Sequence, residues 1–305
     1  LLSHDTGHRL IDAILANSPY LTWCATIDPG FLCNLLIDGP DVTCESTLNV
    51  LINKRKETLN ESDILEVLRV AKRRMALTIA VADISDVWNL GQITGTLSDF
   101  ASTCLSLATA HLLREAAKSG SFALPDMENP ENQSGFVILG MGKLGARELN
   151  YSSDIDLIVL YDPEVIITDD PDRLQTVFVR LTRQLVRLME ERTRDGYVFR
   201  TDLRLRPDPG ATPIALSTYA AETYYESLGQ NWERAAMIKA RPVAGDLEAG
   251  HRFLKWLTPF IWRKSLDYAA IQDIQAIKRQ INAHKAGNKM NVPGHNIKLG
   301  RGGIR

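Results

Sequence analysis

The feature that most constrains this chain is a central stretch in which two apolar segments enclose three glycines, a lysine and two aspartates. It runs from Val137 to Asp162 and reads VILGMGKLGARELNYSSDIDLIVLYD. Both apolar segments have the length of strands, and a short amphipathic piece separates the glycines from the aspartates. The order predicts a strand, a glycine turn with a lysine, a short helix, and a strand that carries two aspartates.

The two aspartates, Asp154 and Asp156, are spaced to share one face of the second strand. Side chains alternate along a strand, so Ile155 and Leu157 point into the core while the carboxylates point the other way, with Cα atoms roughly 7 Å apart. Two carboxylates at this distance repel each other unless a cation lies between them, and such oxygen ligands suit Mg²⁺. The spacing therefore predicts a divalent metal site.

The glycine turn before these aspartates predicts a phosphate site. Glycines allow the backbone to approach an anion closely, and exposed N–H groups there would bind phosphate oxygens. Lys143, between Gly142 and Gly145, adds a positive charge. We therefore expect Gly142 and Lys143 to contact phosphate groups.

Two familiar nucleotide-binding patterns are excluded. The stretch contains no GxxxxGK[ST], so it is not a P-loop. Gly140-x-Gly142-x-x-Gly145 does match GxGxxG, but an Asp-x-Asp strand about ten residues later is not the βαβ unit of a Rossmann fold. An isolated Asp-x-Asp is also common at strand ends and in Ca²⁺ loops. The specific feature is a glycine twelve residues before the first aspartate of Ser-Asp-x-Asp, which is the nucleotidyltransferase arrangement.

The amino-acid sequence of this stretch resembles that of one particular family. GMGKLGARELNYSSDIDLIVLYD resembles the signature of the bifunctional glutamine synthetase adenylyltransferase/adenylyl-removing enzymes, a family with two nucleotidyltransferase halves in one long chain. The run from Glu148 to Asp156 is more similar to the first, adenylyl-removing half. Ala146 departs from the glycine expected after Gly145. The resemblance implies an α+β fold with a mixed sheet like that of DNA polymerase β, flanked by all-helical domains.

A third acidic residue follows in a second alternating segment, Val198–Arg206. If this segment is a strand beside the Asp154 strand, Asp202 lies about 5 Å from the pair. Three carboxylates could hold the two ions of a two-metal phosphoryl-transfer site. Arg204 and Arg206 share that face and suit phosphate oxygens. The alternative is an edge strand with its charges in water; the similarity of the sequence DLRLRP to the third-acid motif of the same family favours the site.

The resemblance also implies a reaction. Inorganic phosphate attacks the α-phosphorus of an adenylylated tyrosine of glutamine synthetase, ADP leaves, and active glutamine synthetase returns. Two Mg²⁺ or Mn²⁺ ions, control by the PII signalling protein and glutamine, and binding of ATP or ADP are further implications. The implied ligands are Asp154, Asp156 and Asp202 for the metal ions, Gly142, Lys143 and Ser153 for the phosphates, and Arg204 for charge balance.

Three alternatives remain open from the residues. The same geometry would serve AMP transfer from ATP to the tyrosine, a nucleic-acid nucleotidyltransferase, or a catalytically silent module that binds nucleotide or a signalling protein. A net charge of −2 and a pI near 6.4 argue against a nucleic-acid-binding protein. No membrane span or signal peptide is visible, and four cysteines without metal-like spacing indicate reduced thiols in a cytoplasmic protein.

Composition and the positions of proline, glycine and polar stretches predict the organisation of the chain. We expect a helical region over residues 1–118, a polar linker over 119–134, a nucleotidyltransferase domain over 135–245 and a helical region over 246–305. The chain has no initial methionine and stops in a glycine-rich segment, so we expect a fragment of a longer protein.

Individual helices follow from apolar periodicity and capping residues. The predicted helices are Asp5–Ala16, Asp28–Leu36, Ser62–Ala82 with Ser62 and Asp63 as its cap, Thr94–Lys118, a long one from Leu174, Ser217–Leu228, Gln230–Arg241, Leu247–Leu257 and Leu266–His284. The charged residues that lie next to the apolar faces of these helices can be interpreted in more than one way. Lys72, Arg73 and Arg74 are interpreted as a solvated face, whereas Lys239 or Arg241 could reach a phosphate.

Overall fold

The computed structural model of this protein describes residues 4–262 together with residues 272, 275 and 279. The predicted helix Leu266–His284 lies outside the described residues except at those three positions, and the basic, glycine-rich tail from Gly294 to Gly303 lies wholly outside them. None of the described helices is long and apolar enough to cross a bilayer. All four cysteines are free thiols; Cys33 is exposed and the other three are buried.

The N-terminal part folds into helices whose starts are set by proline or by side-chain caps. They are α1 (His4–Asn17), α2 (Pro19–Ile27), α3 (Pro29–Asp38), α4 (Pro40–Lys54), α5 (Glu61–Ile84) and α6 (Leu90–Lys118). Proline occupies the first turn of α2, α3 and α4, where its missing N–H costs nothing. Residues 4–118 are thus largely helical: α1, α3, α5 and α6 are somewhat longer than predicted, whereas α2 and α4 were not predicted.

The cap predicted for α5 is wrong. Asn60 is the N-cap, because its backbone is extended and its side chain accepts a hydrogen bond of 2.9 Å from the Asp63 N–H. Ser62 and Asp63 lie inside the first turn, where the Asp63 carboxylate complements the helix dipole. The sequence feature that marks the start of α5 is thus Asn60, directly before a first turn that contains Glu61 and Asp63.

The charged residues of α5 do not form the predicted solvated face. The Arg73 guanidinium is buried against Asp195 at 2.7 Å. The Arg74 side chain forms an ion pair of 2.8 Å with Asp28. The Lys72 ammonium lies 3.9 Å from the centre of the Phe199 ring. Each of these partners comes from a distant part of the chain, so the pattern of α5 alone could not reveal them.

A mixed five-stranded sheet follows. Its strands are β1 (Phe136–Gly140), β2 (Ile155–Tyr161), β3 (Thr201–Asp202), β4 (Ala215–Ser217) and β5 (Arg241–Gly245). The order is β3-β2-β1-β5, and β4 pairs with the later part of β2. β1 is antiparallel to β2 and β5, whereas β3 and β4 are parallel to β2. The predicted α+β class with a mixed sheet is confirmed.

Further helices surround the sheet. They are α7 (Gly142–Gly145), α8 (Leu174–Glu190) after a 3₁₀ turn at Pro171–Arg173, α9 (Thr218–Ser227), α10 (Asn231–Met237), α11 (Leu247–Trp256) and α12 (Thr258–Ile261). The helices predicted from Leu174, at Ser217–Leu228 and at Leu247–Leu257 are confirmed. The predicted Ser217 cap is also present, since its hydroxyl accepts from the Ala220 N–H.

Two predicted elements have the wrong extent. The Val198–Arg206 strand is only two residues long, because Leu203 and the following residues turn away and the Arg206 guanidinium donates to carbonyl groups of its own loop. The helix predicted up to Arg241 ends at Met237, and Arg241 instead begins β5. The residue before a proline is biased towards extended backbone, and Pro242 follows Arg241.

The apolar core continues from the N-terminal helices into the sheet. One cluster of buried side chains joins α4, α5 and α6 to one face of the sheet and to α8. Phe178 of α8 stacks on Phe136, Tyr161 and Phe122 at centroid distances of 5.3, 4.9 and 5.6 Å. Phe122 belongs to the 119–134 segment, so the region predicted as a linker contributes to this core; the division into domains remains a proposal. A second cluster covers the opposite face with α9, α10 and α11.

Candidate active site

The acidic strand β2 places its polar residues on one face. Ile155 and Leu157 are fully buried, Asp156 is half-buried, and Asp154 is exposed just before the strand begins. This is the alternation expected of a strand with one face on the core. The Asp154 and Asp156 carboxylates therefore lie on the same side of the sheet.

Strand β3 brings the third acidic residue to this place. It runs parallel to β2, and Asp202 is the direct partner of Asp156, just as Thr201 is the partner of Ile155. Neighbouring strands lie about 4.8 Å apart, so the two aspartates are adjacent across the sheet. The approach of Asp202 to the Asp156 strand is what the sequence analysis expected, although β3 is much shorter than predicted.

The glycine turn lies against the same carboxylate. The Met141 N–H donates to the Asp156 carbonyl oxygen at 2.9 Å, which holds the start of the turn on β2. Gly142 has φ +52°, and a Cβ at this position would lie 2.9 Å from the Asp156 Oδ2 atom. Only glycine combines this backbone conformation with such a close approach. Gly142 thus borders Asp156 directly, and the half-buried Lys143 follows it in the same turn.

Arg204 holds the Asp202 carboxylate in this structure. Its Nε atom lies 3.0 Å from both carboxylate oxygens and its Nη2 atom 2.5 Å from Oδ2, while the Arg204 backbone N–H donates to Oδ1 at 2.9 Å. These hydrogen bonds lower the pKa of Asp202 below its usual value. The pKa of Arg204 is raised, mainly by Asp202 and further by the charges of Asp156 and Asp154. The exposed guanidinium is therefore a common neighbour of all three carboxylates.

The turn before Asp154 contains Ser153 and a residue that sequence reasoning missed. Ser153 is half-buried, and its N–H donates to the Asn150 carbonyl. Arg200 donates to the Ser152 carbonyl at 2.7 Å, and its Nη2 atom is 3.9 Å from Asp154. Its position two residues before Asp202, on the same face of the alternating segment, was the signal available in the sequence.

Three basic residues that were suggested for phosphate have other partners. The Lys239 ammonium pairs with Glu148 at 2.7 Å. Arg241 donates to the carbonyl groups of Leu144 and Gly145 at 3.2 and 3.3 Å, which ties β5 to the glycine turn. Arg206 binds carbonyl oxygens of the loop that follows β3. The three side chains therefore bind neighbouring protein groups at the edge of the site.

The acidic residues supply the right atoms for a divalent ion, but one of them, Asp202, is bound by Arg204. Carboxylate oxygens are what Mg²⁺ and Mn²⁺ prefer. In the part of the chain that the structure describes, no three acidic, histidine or cysteine side chains converge closely enough to hold an ion as they stand. At this site the Asp202 carboxylate is instead chelated by the Arg204 guanidinium. The Arg204 side chain is 83% exposed, so the guanidinium that binds Asp202 is itself in contact with solvent.

A mixed sheet with a Ser-Asp-x-Asp strand, an adjacent third aspartate and a glycine turn defines a nucleotidyltransferase-like α+β fold. A comparison with family models gives the particular family: the glutamate-ammonia ligase adenylyltransferase model matches residues 8–256. The chain belongs to this family, as its resemblance in sequence suggested.

Relatives with named functions are similar over nearly the whole chain. The bifunctional glutamine synthetase adenylyltransferase/adenylyl-removing enzyme of Rhizobium meliloti (strain 1021) is 54% identical over 96% of this chain and 30% of its own length. The enzymes with the same name from Agrobacterium fabrum and Brucella suis biovar 1 are 52% and 48% identical, over 97% and 100% of this chain. The chain spans about 30% of the length of these relatives.

Proposed function

We propose that this chain carries the adenylyl-removing activity: phosphorolysis of the AMP group on a tyrosine of glutamine synthetase, in the control of nitrogen assimilation. The observation that carries the proposal is the register of Asp202 opposite Asp156, beside a glycine turn that contacts the same carboxylate. The names of the relatives supply glutamine synthetase as the substrate and adenylyl removal as one of two activities. The amino-acid sequence of the central stretch, above all the run from Glu148 to Asp156, favours the adenylyl-removing half of the family.

The bond changes of the proposed reaction balance without a redox partner. An oxygen of inorganic phosphate forms a bond to the α-phosphorus of the adenylyl group, and the bond from that phosphorus to the tyrosine oxygen breaks. The products are ADP and the free tyrosine, whose oxygen takes up a proton. Phosphate at neutral pH is already an anionic nucleophile, so positioning and charge stabilisation matter more than a general base.

The chain's own residues have distinct roles in this proposal. Asp154, Asp156 and Asp202 would hold two Mg²⁺ or Mn²⁺ ions. When bound, the ions would neutralise phosphate charge and stabilise the attacking and leaving oxygens. Gly142, Lys143 and Ser153 would bind phosphate oxygens through N–H, ammonium and hydroxyl groups. Arg204, released from Asp202 once that carboxylate has another cation, would balance the phosphate charge.

The test replaces one acid at a time by its neutral isostere. Asp154→Asn and Asp156→Asn should each abolish ADP release from adenylylated glutamine synthetase with phosphate and Mg²⁺, because an amide has no charge to attract the ions. Asp172→Asn, at an exposed position before α8, is the matched control and should keep the activity of the unchanged chain. Circular dichroism checks that each variant is folded. Full phosphorolysis by either Asp154→Asn or Asp156→Asn would refute the assignment.

The reverse direction is the second candidate, because the relatives' names contain both activities and the site geometry suits both. Two separate incubations distinguish them: unmodified glutamine synthetase with ATP, and adenylylated glutamine synthetase with phosphate. AMP incorporation in the first without ADP release in the second would assign this chain to the transferring activity. Repeating the productive incubation with PII protein and with glutamine tests the proposed regulatory partners.

A further inference from the structure

A large cavity lies next to the acidic residues, on the side of the N-terminal helices. Its volume is about 820 Å³, and its walls come from α2, α5, α6 and the segments 151–153 and 192–199. The first of these segments ends at the residue before Asp154, and the second ends three residues before Asp202. The volume is in the range of small-molecule sites, which run from about 300 to 1,000 Å³.

The wall of this cavity contains a lysine that lacks a counter-charge. The Lys72 ammonium lies 3.9 Å from the centre of the Phe199 ring and 5.9 Å from that of Phe100, and among the described residues it takes part in no ion pair. Surrounding protein atoms desolvate it, which lowers its pKa to about 8. An ammonium in such surroundings favours an anion as its neighbour.

The other charged or titratable groups around Lys72 do not supply that anion. The Cys104 thiol of α6 and the Cys24 thiol of α2 both have raised pKa values through burial, so they are neutral near pH 7. The Asp195 carboxylate is already bound to Arg73 at 2.7 Å. Asp83, the other carboxylate of the cavity wall, accepts a hydrogen bond of 2.9 Å from the Tyr151 hydroxyl and forms no ion pair with Lys72.

Much of the remaining wall is apolar and aromatic, and it also contains the charged residues Asp83, Arg192 and Arg194. Tyr20, Trp23 and Tyr197 line the cavity together with the two phenylalanines beside Lys72. Aromatic rings pack favourably on other flat rings by stacking or by edge contacts. The cavity thus combines the desolvated Lys72 ammonium with surfaces suited to a planar apolar group.

We propose that this cavity binds a small organic anion with a flat aromatic body, whose negative group contacts the Lys72 ammonium. The ligand chemistry has two sources. One is the adenine nucleotide of the reaction proposed above, which would enter beside Ser153. The other is a separate aromatic carboxylate or phosphate. The binding itself does not depend on the proposed reaction, so the test omits glutamine synthetase and removes metal ions with a chelator.

The experiment is isothermal titration calorimetry with 1-naphthoate and with its uncharged counterpart 1-naphthalenemethanol. The unchanged protein should bind the anion about tenfold more tightly, the effect of one hydrogen bond to a charged group. Lys72→Met keeps the side-chain length without the charge and should lose this preference. Lys118→Met, which removes an exposed lysine paired with Glu115, should retain it. An equal preference in Lys72→Met and the unchanged protein, or no 1-naphthoate binding at millimolar concentration, would overturn the proposal.

A pH series on the unchanged protein gives a test that does not depend on the folding of a variant. Lys72 loses its proton as the pH rises through about 8, so the affinity for 1-naphthoate should fall between pH 7 and 9. The affinity for 1-naphthalenemethanol should stay constant. A 1-naphthoate affinity that does not change over this range would contradict the role of Lys72. Competition between 1-naphthoate and ADP would identify the nucleotide as the occupant, whereas independent binding would identify a separate aromatic anion.

Discussion

A buried ion pair between α5 and the loop after α8 makes the most quantitative prediction about stability. The Arg73 and Asp195 side chains are 8% and 14% exposed, and the two atoms Nη1 and Oδ1 are 2.7 Å apart. At this distance the Coulomb attraction is about 6 kcal/mol for an effective dielectric constant near 20. Desolvation of both charges offsets much of it, but removal of one partner leaves the other charge buried and costs about 3 kcal/mol or more. We therefore expect Asp195→Asn to lower the free energy of unfolding by about 3 kcal/mol.

Urea unfolding at pH 7, followed by circular dichroism and tryptophan fluorescence, measures this loss. The matched control is Asp170→Asn, whose carboxylate lies 3.8 Å from Arg173 with both side chains more than half exposed. This change should cost less than about 0.5 kcal/mol, because exposed ion pairs contribute little. The double variant Arg73→Met with Asp195→Leu should lose less stability than Asp195→Asn alone, because neither charge stays buried. The reasoning is refuted if Asp195→Asn and Asp170→Asn cost the same.

Two other changes test the glycine turn and the cap of α5. Gly145→Ala should destabilise the protein by about 3 kcal/mol, because a Cβ there would overlap the Lys239 carbonyl oxygen, which is backbone and cannot rotate aside. Urea unfolding should show the loss, and an unchanged midpoint would contradict the packing of α7 on the segment just before β5. Asn60→Ala should cost about 1 kcal/mol, because the Asp63 N–H loses its acceptor. Ser62→Ala is the control for the cap and should be nearly neutral; a larger loss for Ser62→Ala would reinstate the cap expected from the sequence.

Local patterns in the sequence were sufficient for much of the site. The alternation around Asp154 and Asp156 predicted their common face, because a strand with one face on the core must alternate. The three glycines predicted a close backbone approach, and Gly142 does meet the Asp156 carboxylate. The resemblance to a known family, carried by the same residues, agrees with the family that the comparisons show. The metal and phosphate roles of these residues remain predictions.

Only the tertiary structure determined what the distant residues do. The sequence offered Asp202 as a neighbour of Asp156 but not the register that pairs them, nor the chelation by Arg204 that now holds its carboxylate. The pattern of α5 predicts a solvated charged face, yet Arg73 is buried against the loop after α8. The physical reason is the same in each case. Periodicity reports which face of an element is buried, whereas the partner of a charged group depends on which remote segment folding brings against that face.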